Sequence, residues 1–260
     1  MRCGISTSCF YPAPTEEAVR WLADRGTPWL EIFFNAFSET EPAALREMKS
    51  ALAAGGSRAL SVHPFTCPME PLLFFSEYQR RTEEGLELYK RYFEAAAELD
   101  AEILVLHGDR LGGRLSEEEN FARFAALAEV GRRFGVTVAL ENTVRNRSRE
   151  PDFLLRMRKA LGEQAAFVLD VKQARRSGHG FGEYLDAMGD RLCHLHLSDA
   201  GESGDCLPVG RGSEDLAGLF SALEMRGYQG GAILELYREN YREPEELLSS
   251  LAAMEGLAGK

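Results

Sequence analysis

The sequence predicts a (β/α)8 barrel, an α/β fold of parallel strands and helices spanning residues 1–260 as a single domain. Three observations carry that expectation. Eight short β-type runs recur along the 260 residues, helical segments with readable ends fill the intervals, and no Gly/Ser-rich linker divides the chain. The competing topology is an open doubly wound sheet.

The first run, residues 3–8, leads to a helix start at Thr15 before Glu16 and Glu17, an N-cap hydroxyl followed by acids suited to a helix N-terminus. Run 29–34 precedes Thr40, Glu41 and Pro42, where a proline in the first turn sacrifices no hydrogen bond. Run 59–63 is followed by Ser76 with Gln79, and run 103–107 by Ser116 with Glu119, both at capping-box spacing. Gly135 stops that helix before run 136–141; Pro151 and Asp152 open the next, which Gly162 closes before run 166–171. Runs 192–198 and 232–236 complete the eight, with Gly227 ending the helix between them. Leu86, Tyr89, Tyr92 and Phe93, and then Phe121, Phe124 and Leu127, recur at helical spacing and are expected to face the core.

Alternation along the strands favours closure. Val136, Val138 and Leu140 form one apolar face that suits packing on helices, while Thr137, Ala139 and Glu141 form a smaller, more polar face for a barrel axis. Residues 192–197 split likewise, with Cys193, Leu195 and Leu197 outward and His194 and His196 inward. An ionisable residue falls late in seven runs: Glu31, His63, His107, Glu141, Asp170, His196 and Glu235. In a barrel of this kind the C-terminal strand ends share one cavity, so these side chains are expected to meet. Three inward carboxylates with a histidine would repel one another unless a cation compensated them, which points to a divalent metal.

Composition narrows the partners. Thirty basic against 41 acidic residues leave a formal charge of −11, the wrong sign for a general nucleic-acid binder. No apolar run suits a membrane span and the N-terminus lacks a signal-peptide core, so a cytoplasmic protein with no membrane partner is expected. Five cysteines without a Cys-x-x-Cys pair suit reduced thiols. There is no dinucleotide fingerprint and no Walker loop. One basic region, Arg145, Arg147 and Arg149 with Lys172, Arg175 and Arg176, falls near the expected mouth. It reads either as a collar for an anionic substrate or as loop charges paired with Glu150 and neighbours. Cys67 and Cys206, also expected on that side, would favour zinc if they were ligands. His179, between Gly178 and Gly180, fits a lid or a plain loop equally.

Five segments, Val138-Ala-Leu-Glu-Asn142, Val168-Leu-Asp-Val171, residues 192–199 (LCHLHLSD), residues 207–215 (LPVGRGSED) and Ile233-Leu-Glu-Leu236, occur in an order and spacing that resemble the xylose-isomerase-like TIM barrel superfamily. That group includes sugar phosphate isomerases/epimerases, ketose 3-epimerases, inosose dehydratases and endonuclease IV. The resemblance implies one divalent metal, Mn, Mg or Co with Zn as an alternative, held by Glu141, Asp170, His196 and Glu235. It also implies that Glu141 and Glu235 act as catalytic acid and base. His63, His107, Lys172 and Gln173 are assigned to substrate binding. His194, deeper on the same face as His196, reads as an interior or orienting histidine.

The chain departs from its relatives at Gln173, where many carry His, and at Glu202, where ketose epimerases carry Arg. Gly204-Asp-Cys206 replaces an Asp-x-His ligand segment of endonuclease IV, so a three-metal centre would be incomplete. The expected function is an isomerase or epimerase of a small sugar, sugar phosphate or polyol-derived keto compound, working through an enediolate. The alternatives are a dehydratase using the same intermediate, a nuclease, and a non-catalytic sugar-binding barrel. The expected partner is a small carbohydrate, and homo-oligomerisation stays open.

Overall fold

Alternating polarity along the strands is resolved by closing the sheet. The computed structural model, which describes residues 1–202 and 204–259, contains β1 (Arg2–Ser6), β2 (Trp29–Phe34), β3 (Arg58–Pro64), β4 (Ile103–Leu106), β5 (Thr137–Glu141), β6 (Phe167–Asp170) and β7 (Leu192–Leu197). A hairpin of β8 (Asp199–Gly201) and β9 (Gly204–Leu207) follows, and then β10 (Gly231–Leu234). β1 pairs in parallel with both β2 and β10, so the eight long-range strands form a closed barrel and the open-sheet alternative falls. Closure leaves no barrel strand with an unpaired edge.

The helices are α1 (Thr15–Asp24), α2 (Pro42–Gly55), α3 (Glu70–Leu73), α4 (Gln79–Glu98), α5 (Glu117–Arg133), α6 (Pro151–Leu161), α7 (Val171–Ser177), α8 (Phe181–Met188), α9 (Leu216–Met225) and α10 (Glu245–Leu257). Ser116 and Glu119 make the expected capping box, with Glu119 N–H donating to Ser116 Oγ and Ser116 N–H to Glu119 Oε2. Other expected caps are used differently. Thr15 is the first residue of α1 and its hydroxyl donates to Phe33 O, while Thr40 Oγ donates to Phe37 O in a 3-10 turn and Glu41 caps α2. Ser76 Oγ accepts from Tyr78 N–H rather than from the first helical turn. In each case a nearby carbonyl or amide competes for the same hydroxyl.

Strand by strand, one face packs on the helices in a large apolar cluster, and the other fills the axis with Ile103, Val105, Ala139, Ala166 and Val168. Cys193, expected outward, packs against this axial cluster. The β6–β7 register shifts between Phe167 and Val168, beside Cys193, and so breaks simple alternation there. Gly4 is required by close approach, since a Cβ there would lie 2.1 Å from Trp29 O. The stripes of α4 and α5 do face the core, Tyr89, Tyr92, Phe93, Phe121, Phe124 and Leu127 all being buried. Among the described residues no cysteine pair forms a disulfide, and no helix is long and apolar enough to cross a membrane.

Candidate active site

Two-residue steps along the strands build the site above the apolar axis: Val105 to His107, Ala139 to Glu141, Val168 to Asp170, His194 to His196, and Ile233 to Glu235. His107 and Glu235 stand one residue beyond their strands, where the backbone begins to turn. Glu141, Asp170, His196 and Glu235 come together, each offering a ligand atom within 4.8 Å of the others. His196 Nδ1 lies 3.3 Å from Glu141 Oε1 and 3.7 Å from Glu235 Oε2, and its Nε2 is 3.0 Å from Glu31 Oε2.

Glu31 is the foundation of this arrangement. It is fully buried, accepts Ser6 Oγ and Ser61 Oγ at 3.2 and 2.7 Å, and lies 3.3 Å from His194 Nε2. Burial alone would raise its carboxyl, but His196 and His194 hold it well below the usual carboxylate range. Burial likewise opposes charge on His196, yet Glu31 and Glu235 raise it well above an ordinary imidazole. With Nε2 committed to Glu31, Nδ1 is the nitrogen turned to the other carboxylates. This is how a second carboxylate orients a ligating histidine. The chemistry of the donor set, three carboxylates and one oriented imidazole, fits a divalent cation. Asp170 makes the same point: burial, only partly offset by Lys172 and reinforced by Glu141 and Glu235, pushes its carboxyl up to about 7.

His63 and His107 join the cluster from the other side. Their Nε2 atoms are 3.1 Å apart, and His107 Nε2 is 2.9 Å from Glu141 Oε2. His63 is the more enclosed, stacked on Phe33 with ring centroids 4.6 Å apart, and burial with the adjacent His107 lowers it to about 4. Against the cost of burial, Cys67 and Glu141 raise His107 well above its ordinary value. Cys67 lies with these two histidines, each offering an atom within 4.8 Å of the others, whereas Cys206 Sγ is turned to Glu235 O at 3.6 Å.

Lys172 is buried, with Nζ 3.4 Å from Asp170 Oδ2 and 3.2 Å from Glu235 Oε2, and lies over the Tyr237 ring at 4.8 Å. Gln173 donates its N–H to Asp170 Oδ1 at 2.8 Å, and its side-chain oxygen accepts Val144 N–H at 3.1 Å. Its side-chain NH2 remains as a donor. His194 sits beside His196 with its Nε2 3.3 Å from Glu31 Oε2 and 3.2 Å from Ser61 Oγ, while its buried Nδ1 has no partner among the described residues. His179 lies away from the cluster and contacts Glu150 and Glu183.

Three residues were assigned no role from the sequence, although Asn142 lies in the Val138–Asn142 segment that carries the resemblance. Asn142 closes on the backbone of Asp170, donating to its carbonyl at 3.0 Å and accepting its N–H at 2.6 Å. Glu70, fully buried, accepts the N–H groups of His107 and Gly108 at 2.8 and 2.7 Å and the Tyr89 hydroxyl at 2.9 Å, and so fixes the turn that carries His107. Tyr237 roofs Lys172. All three act across loops, where periodicity is silent. Glu31, by contrast, was expected as an inward strand-end acid; it does face inward, but as the third of the six residues of β2 it is set back from the strand end.

The basic region is largely neutralised. Arg147 pairs with Asp109, Arg149 with Glu150, Arg175 with Glu214 and Arg176 with Asp205, at 3.1, 3.1, 2.9 and 2.6 Å. Arg145 is exposed. Asp205 is thereby committed to Arg176.

Comparison with known proteins agrees with this architecture. The chain is 24% identical to a fructoselysine 3-epimerase of Shigella flexneri over 267 residues, covering 94% of this chain and 93% of that protein. A D-tagatose 3-epimerase-like protein superposes with a TM-score of 0.82 at 19% identity, covering 100% of this chain and 97% of the other. A D-psicose 3-epimerase crystallised in the presence of D-fructose gives 0.81 at 18%, with both chains covered 100%. The family model described as xylose isomerase-like TIM barrel matches residues 19–257, and the chain belongs to that family.

Proposed function

We propose that this protein is a divalent-metal-dependent epimerase or isomerase of a small, unphosphorylated ketose-type sugar, acting through an enediolate. The observation that carries the reading is the convergence of Glu141, Asp170, His196 and Glu235 at the barrel mouth. The epimerase names of the relatives support it, and the pairing of the arginine collar favours an uncharged substrate over a phosphate ester.

A divalent ion held by the four residues would supply Lewis-acid stabilisation of negative charge developing on substrate oxygens. The chain's own groups do the rest. One glutamate of the Glu141/Glu235 pair removes the proton from carbon beside the carbonyl, and the other returns one from its own side. Glu235 is the more open of the two, and Glu141 is anchored between His107 and His196. His63 and His107 reach substrate hydroxyls, and the Gln173 NH2 offers a further donor. Lys172 contributes a buried cation at the edge of the site.

The test is a panel of ketoses, inososes and their phosphates incubated with Mn, Mg or Co in deuterated water. Deuterium on carbon without loss of water, abolished in Glu141→Gln and Glu235→Gln that still hold metal, is expected. Loss of water from product would assign a dehydratase instead. Three equivalents of tightly held zinc, or unchanged exchange in both metal-loaded variants, would overturn the proposal.

A further inference from the structure

Lys172 contacts the very oxygens a cation would need. Asp170 Oδ1 is taken by Gln173 N–H, leaving Oδ2 as its available atom, and Oδ2 is the one 3.4 Å from Lys172 Nζ. Glu235 Oε2, the oxygen turned toward His196 Nδ1, is likewise the one 3.2 Å from Nζ. The ammonium is almost wholly enclosed, its side chain 4% exposed, with the Tyr237 ring as its other neighbour. An ammonium and a divalent ion drawing on the same two oxygens repel each other strongly in a buried site.

We propose that Lys172 is an internal competitor for the cation: it neutralises Asp170 and Glu235 in the metal-free protein, and must withdraw from them when metal binds. The inference rests on the metal reading of the preceding section. It makes Lys172 a positioning residue that keeps the empty carboxylates in place and sets the affinity of the site, rather than one that touches only substrate. A neutral side chain there should tighten metal binding while weakening the metal-free fold. A permanent cation should preserve the wild-type balance.

The experiment is titration of metal-free protein with Mn2+ and Co2+ in competition with a fluorescent chelator, for wild type, K172M, K172Q and K172R, with melting temperatures measured before and after loading. Expected is affinity roughly ten-fold or more tighter in K172M and K172Q, near wild type in K172R. The neutral variants should also melt lower without metal and gain more on loading. If K172M does not fold, K172Q carries the comparison. Unchanged or weaker binding in the neutral variants, with wild type still binding metal, would overturn this inference alone, because Lys172 would then be supporting the ligands. Binding by the neutral variants where wild type binds weakly or not at all would support it. No binding by any variant would sink the metal reading and this inference with it.

Discussion

Replacing Glu31 with Gln tests whether the buried charge beneath the site, rather than its shape, holds His196. The amide can keep an oxygen toward Ser61, His194 and His196 and turn its NH2 to Ser6, so the variant removes charge while leaving the hydrogen-bond map largely intact. A bond to a charged acceptor is worth about 1 kcal/mol more than its neutral counterpart. Three donors converge on Oε2, so the expected loss is about 3 kcal/mol, or a melting point lower by roughly 6–12 °C. Because Glu31 is held well below its free value, its contribution is present above the unfolded carboxyl pKa and lost as pH falls through the folded one. The gap between wild type and variant should therefore be full at pH 7 and narrow in acid. Urea unfolding across pH, with metal affinity measured alongside, reads both consequences; loss of a carboxylate that orients a ligating histidine should weaken metal about 10- to 100-fold. A variant within about 0.5 kcal/mol of wild type at pH 7, with unaltered metal affinity, would refute the reasoning.

Glu70 should behave oppositely with pH. Burial raises its carboxyl to about 7, so it favours the fold while protonated and that contribution disappears as pH rises from the unfolded carboxyl value through about 7. Unfolding of Glu70→Gln between pH 5 and 8 should show a flatter decline than wild type, and an equal decline would count against the assignment. Gly4→Ala forces a Cβ against Trp29 O and should cost about 3 kcal/mol, seen as a lower melting point. Ser116→Ala removes one half of the α5 capping box and should cost about 1 kcal/mol in urea unfolding, without affecting metal binding.

The barrel and most of the layer above its axis follow from local sequence pattern. Strand alternation is a local property: a residue two positions beyond an inward Ala139 or Ile233 must also face inward, so Glu141 and Glu235 could be placed before any contact was known. Alternation failed at Cys193, where the register shifts, and cap assignments failed at Thr15, Thr40 and Ser76, where a non-local or neighbouring acceptor won the hydroxyl. How the site is held depends on contacts between residues far apart in the chain. Glu31 reaches His196 across 165 residues, Glu70 grips the turn of His107 across 37, and Lys172 meets Glu235 across 63. Such pairings depend on which loops and strands closure brings side by side, and no periodicity encodes them. Charge was decided there too. In one dimension the arginines after β5 and β6 read as a collar or, by a small margin, as paired loops, and the partners that neutralise most of them, Asp109, Glu214 and Asp205, lie on other segments of the mouth. Electrostatic free energy depends on distance through space, which a linear order does not contain.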